Sequence, residues 1–215
     1  MSNLTDIARS RALLVALSLT VLSLVAACGG GDQEQAAPAH TSTGSGAAAD
    51  ASLGPATILA GVFYNPPTTW TDVGASGMRQ AQYRLDPVAG DADTGEVNVF
   101  YFGPQSGGGT EANLQRWIGQ MTLPDGGDAA AAAERRVMKA GGMDIHLVSL
   151  DGTYKSGGMR PMGGGGEAKP GYRLVGAVVE GPQGSLFFKL TGPVATAREM
   201  EKGLMAMLGS VSKAD

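Results

Sequence analysis

The chain of 215 residues sets 16 lysines and arginines against 20 aspartates and glutamates, a formal net charge of −4, and contains a single cysteine. Nucleic acid is excluded as a partner, because neutralising phosphates needs a concentrated basic face and the only basic doublet is Arg135-Arg136. An internal disulfide is excluded by the cysteine count, and a fold of this length must be held by its own core.

The first 28 residues place Arg9 and Arg11 ahead of an uncharged run from Ala12 to Ala27, which ends in small residues before Cys28. That is the shape of an export signal, and the run is shorter than the roughly 20 residues a membrane-spanning helix uses. Val25, Ala26, Ala27 and Cys28 resemble the lipobox of bacterial lipoproteins. The resemblance implies that residues 1–27 are a signal peptide, and that Cys28 is lipidated by diacylglycerol and acyl chains such as palmitate and becomes the mature N-terminus. An ordinary secretory signal with an A-x-A-like cleavage site beside a cysteine is the competing reading. With Gly29 rather than an aspartate after the cysteine, the resemblance implies the outer membrane, facing the periplasm. From Cys28 onward the chain carries 14 basic and 19 acidic side chains, a net charge of −5.

Residues 29–54 contain no aromatic residue and one large aliphatic, Leu53. Too little apolar surface is present to repay the entropy of ordering, so residues 28–54 are expected to be a lipidated cysteine and a flexible linker, with a reach on the order of 25–30 Å. Residues 55–215 are expected to form one domain.

Several segments of that domain carry strand patterns. GVFY (61–64) is followed by Pro66-Pro67. In RQAQYRL (79–85), Ala81, Tyr83 and Leu85 alternate with Gln80, Gln82 and Arg84, the period of a strand with one wet face. EVNVFYF (96–102) is apolar on both faces near its end, as a central strand is. RRVMKA (135–140) and MDIHLVSL (143–150) flank Gly141-Gly142, and YRLVGAVVE (172–180) and SLFFKL (185–190) flank GPQG, so two hairpins are predicted. Two helices are predicted as well. One starts at Thr110 as N-cap with Leu114, Trp117, Ile118 and Met121 on one stripe. The other has Pro193 in its first turn, and Ala197, Met200, Leu204, Met207, Leu208 and Val211 form its face. GDAAAAAERR is a third helix or an exposed connector.

Six or seven antiparallel strands covered by two or three helices make an α+β domain. The segment order is similar to the PsbP-like fold of extrinsic photosystem subunits and related lumenal and periplasmic proteins. The run FYFGPQSGGGTEANLQRWIGQM, with NPPTTW and GMRQAQYRL before it and LFFKLTGP after it, resembles a family of uncharacterised exported bacterial proteins. These resemblances imply a fold and no catalytic residue.

No nucleophile elbow, zinc-protease helix or C-x-x-C pair is present, so neither an enzyme nor a bound cofactor is expected. His146, flanked by Ile145 and Leu147, should point away from the face they bury. Gly108, Gly109 and Thr110 lead into a helix N-terminus and are the candidate anion contact, with Trp70 a candidate binding platform. The Gly-rich segment 151–171, with Met159 and Met162, is expected to be a long loop. It serves a protein partner, extends a hairpin, or holds copper together with His146. The function expected is thus a non-enzymatic envelope lipoprotein that binds or supports another envelope component, with a copper or small-ligand carrier as the alternative.

Overall fold

The computed structural model describes residues 51–88, 90–156 and 166–214; Cys28, Met159 and Met162 lie outside the described residues. The domain is already engaged before residue 55. The Ser52 carbonyl accepts from the Thr68 backbone N–H at 2.8 Å, and Gly54 donates to the Pro66 carbonyl at 2.8 Å. The linker boundary drawn after Gly54 is therefore corrected toward the N-terminus.

β1 (Thr57–Leu59) and β2 (Val62–Tyr64) form a hairpin that β11 (Ser212–Lys213) joins at the far end of the chain, all antiparallel. The second sheet has eight strands: β3 (Thr71–Asp72), β4 (Arg79–Leu85), β5 (Gly95–Phe100), β6 (Met121–Thr122), β7 (Glu134–Ala140), β8 (Met143–Lys155), β9 (Ala168–Gly181) and β10 (Gly184–Pro193). In space the order is β3-β4-β5-β10-β9-β8, and the outer edge of β8 is shared by β7 and β6. Both predicted hairpins form. Gly141 and Gly142 take φ of +54° and +71°, as the tight turn requires, and Pro182-Gln183 close the turn between Gly181 and Gly184.

The sheet carries helices on both faces. α3 (Val194–Gly209) lays Ala197, Met200, Leu204, Met207 and Leu208, none of them exposed, against Val97, Val99, Ile145, Leu147, Val175, Ala177, Phe188 and Leu190. Burying its four larger side chains is worth roughly 6–12 kcal/mol before chain entropy is counted, an upper figure. Gly203 lets this helix approach closely, since a Cβ there would lie 2.9 Å from Trp70 Cζ2. On the opposite face α1 (Thr110–Ile118) buries Leu114, Trp117 and Ile118 against Val148, Leu150, Leu174, Val178 and Phe187.

Several expectations are corrected. Thr110 is not the N-cap of α1: Gly109 is, and the Thr110 hydroxyl instead donates to Glu180 at 2.9 Å. Pro193 is the N-cap of α3 rather than a first-turn residue, and the helix end is satisfied from a distance. Asp91 Oδ2 accepts from the Thr196 N–H at 2.7 Å and its hydroxyl at 2.6 Å. The alanine run forms one turn, α2 (Ala129–Ala132), capped by Asp128, because Glu134 already pairs with Ser149 in β7. Both ends of the long loop expected over 151–171 are strand: β8 continues to Lys155 and β9 begins at Ala168, with Tyr154 opposite Lys169. Gly152 permits this, since a Cβ there would fall 2.6 Å from the Thr122 carbonyl oxygen.

Candidate functional site

α1 packs on β8 and β9 and on Phe187 of β10, and among the described residues no helix covers the rest of the β4–β5–β10 side of that face. One row across the sheet shows the change: Gln82, Asn98, Lys189, Gly176 and Val148 are successive cross-strand partners. Trp117 lies on Gly176, where a Cβ would come 2.1 Å from its Cε3. Beyond that ring the row turns polar. Apolar alternation on the other face remains intact, since Val97, Val99, Phe188 and Leu190 are all unexposed.

The open half forms a cleft of about 350 Å³ lined by Arg79, Glu96, Asn98, Tyr154, Lys169 and Tyr172, among others. Lys189, the partner of Asn98 across the ladder, stands behind the cleft lining and meets it through Tyr154. Its Nζ donates to Tyr154 Oη at 2.9 Å and to Gln120 Oε1 at 2.5 Å. Neither acceptor is charged, and burial pulls the amine down to about 8. The contrast with the buried Arg173 is direct. Arg173, 7% exposed, is held by Asp151 at 2.6 Å and Glu201 at 2.8 Å, and these carboxylates keep its guanidinium firmly charged.

Asn98 is 9% exposed, and its Oδ1 is buried with no hydrogen-bond partner among the described residues. A buried acceptor left without a donor costs on the order of 1–3 kcal/mol, so native structures rarely keep one without a reason. Arg84 Nε, beside it on β4, is likewise buried and unpartnered among the described residues. Arg84 pairs with Glu96 at 3.0 Å. Lys169 pairs with Asp93 at 3.0 Å, and the Tyr172 hydroxyl donates closely to the same carboxylate. Those two donors, Tyr172 first, hold the Asp93 carboxyl below its usual range. Arg79 has only Gln82 Oε1, at 3.4 Å. Among the described residues, then, the carboxylates of the cleft are matched while Arg79 and Lys189 are not. The site offers a ligand the cation of Arg79, the amine of Lys189 behind the lining, one orphan acceptor in Asn98, and the hydroxyl-bearing residues Thr94, Thr191 and Ser156 on the wall.

The residues expected from the sequence lie elsewhere. Trp70 is 8% exposed and packs between Gly203 and Tyr83, with the Tyr83 ring centroid 5.9 Å away. Gly108 and Gly109 sit at the start of α1, where the buried Asn113 amide donates to the carbonyls of Gly107 at 2.8 Å and Gly109 at 3.0 Å. Glu111 stands in the first helical turn and Glu180 receives Thr110, so two carboxylates oppose an anion there. His146 does point away from the α3 core, as its alternation predicts, and its Nε2 lies 3.3 Å from Glu180 Oε1. It is separated along β8 by roughly 30 Å from Lys155, the last strand residue before the segment holding Met159 and Met162. Among the described residues, no group of three or more His, Cys, Asp or Glu side chains is placed to hold a metal ion. None of the described helices is long and apolar enough to cross a membrane.

No family model and no curated protein matches the chain. Among solved structures it is similar to the solution structure of cyanobacterial PsbP (CyanoP) from Synechocystis sp. PCC 6803. The identity is 13%, the match covers 76% of this chain and 93% of that chain, and the TM-score is 0.43.

Sequence reading passes over Gln82, Asn98 and Lys189 because each occupies the polar position of an alternating strand. Gln82, read as part of a wet face, is 7% exposed. The available signal was an asparagine and a lysine inside otherwise apolar runs, VNVF and FFKL, where strands of a central sheet disfavour them.

Proposed function

We propose that the chain is a non-enzymatic binding module of the bacterial envelope, held at the outer membrane by lipid on Cys28, whose ligand site is the cleft over Asn98 and Lys189. The observation that carries this reading is the buried Oδ1 of Asn98, beside a lysine with only neutral partners, with no donor for that oxygen among the described residues. Both groups weaken the fold as they stand and are satisfied at once by a polar molecule in the cleft. The tether suits such a role, since two or more acyl chains retain a domain at the bilayer without any contact from the domain itself.

The test is thermal unfolding of the full chain in detergent against small polar metabolites extracted from a bacterial envelope. A binder present at 100 times its Kd adds about 2.7 kcal/mol to the unfolding free energy. Stabilisation by a component, lost in Asn98→Leu or Lys189→Met, supports the reading. Stabilisation that both variants retain, or none by any component, overturns it.

A further inference from the structure

We infer that the cleft takes a hydroxylated carboxylate, a small organic acid with a hydroxyl close to its anionic group. This rests on the reading of the cleft as a binding site and narrows the chemistry of its occupant. Besides Arg84 Nε, which is not on the cleft lining, three groups at the cleft seek partners among the described residues, and they make different demands. Asn98 Oδ1 can only accept, so it asks the ligand for an O–H or N–H donor. Lys189 and Arg79 can only donate, and as unmatched cations they ask for negative charge. Asn98 and Lys189 are direct cross-strand neighbours on one face, so donor and anion must belong to one compact molecule.

Simple chemical classes fail one demand or the other. A plain carboxylate has no donor for Asn98. A neutral polyol supplies donors but leaves both cations unmatched. An α-amino acid supplies both, yet its ammonium needs a carboxylate, and those of the cleft are engaged: Glu96 with Arg84, Asp93 with Lys169 and Tyr172. A hydroxyl donating to Asn98 Oδ1, beside a carboxylate that pairs with Arg79 on the lining and is drawn by Lys189 behind it, meets these three demands. The hydroxyls of Thr94, Thr191 and Ser156 along the same wall suit further hydroxyls on a larger acid of the sugar-acid type.

The experiment is isothermal titration of the full chain in detergent at pH 7. The probes are lactate, propionate, alanine and inorganic phosphate, with glucuronate and glucose as the larger pair. Lactate is expected to bind at least fivefold more tightly than propionate, and glucuronate to bind where glucose does not. In Asn98→Leu the advantage of lactate over propionate should vanish, while Lys189→Met should weaken both by about tenfold. The lactate to propionate ratio is read on the unaltered protein, so it stands even where a variant folds poorly. Equal binding of lactate and propionate, or tighter binding of alanine or phosphate, overturns the ligand class. If those probes still lose affinity in Lys189→Met, the cleft survives as a site. If no probe binds, or binding ignores both substitutions, the site reading falls together with the inference.

Discussion

Trp117 of α1 fills the space that a side chain at Gly176 of β9 would need: a Cβ there would stand 2.1 Å from Trp117 Cε3 and 2.5 Å from Cζ3. The helix sits on the sheet at the only residue of that row with no side chain. Gly176→Ala should therefore destabilise the domain by about 1–3 kcal/mol, the usual range for overpacking, lowering Tm by several degrees. Calorimetry of the single variant and of Gly176→Ala with Trp117→Leu checks this. The second change should recover part of the loss, and an unaltered Tm in the single variant would contradict the packing.

Lys189 makes stability depend on pH in an unusual direction. Its folded value, about 8, lies below the ordinary lysine value, so between about pH 8 and 10 the unfolded chain binds more protons than the folded one. Stability then rises with pH across that window. Tyr154, Asn98 and Gln120 are its neutral neighbours, and Glu96, Lys169 and Arg79 are the charged groups facing the same cleft. Burial raises Tyr154 and Tyr172, which acts the opposite way only above about pH 10. From pH 8 to 9.5 the stability of the unaltered protein relative to Lys189→Met should grow by on the order of 1–2 kcal/mol, as measured by urea unfolding. A flat difference would mean that Lys189 is fully hydrated.

Asn98→Leu should raise stability. The substitution removes a buried acceptor that has no donor among the described residues and replaces it with an apolar side chain of similar shape on a sheet strand. A gain of about 1 kcal/mol, or about 2–4 °C in Tm, is expected without ligand. A loss of stability would show that Oδ1 is satisfied in solution.

On the proposed anchoring, Cys28→Ser should leave the unfolding transition unchanged and move the protein from the membrane pellet to the soluble fraction, since a lipid on Cys28 would supply about 0.8 kcal/mol per buried methylene. Fractionation of cells expressing each form decides this. Continued sedimentation with membranes would assign the attachment to the domain itself.

Much of the sheet was readable from local pattern. RQAQYRL became β4 at the boundaries its alternation marked, and Gly141-Gly142 became the β7–β8 turn, because period two and positive φ are demands that a few consecutive residues meet alone. Helix ends were read less well. Thr110 and Pro193 carry the right chemistry for caps, yet partners far along the chain, Glu180 and Asp91, changed what those ends needed. The alanine run had ample helix propensity, and pairing of Glu134 with Ser149 confined it to one turn. The extent of β8 and β9 past residue 150 was hidden because glycine-rich sequence reads as loop until a partner strand is present.

The sequence by itself determined the strand and helix periods of the domain and the α+β class, since each is a property of neighbouring residues, and on it alone rests the proposed export signal ending at the lone cysteine. Tertiary structure alone decided that α1 covers β8, β9 and Phe187 of β10, and that no described helix covers the rest of that sheet face. The same alternating polar positions are therefore covered on β9 and open on β5 and β10. Burial of a polar atom depends on what packs over it from elsewhere in the chain, and that turned Asn98 and Lys189 from ordinary outward residues into an unsatisfied pair.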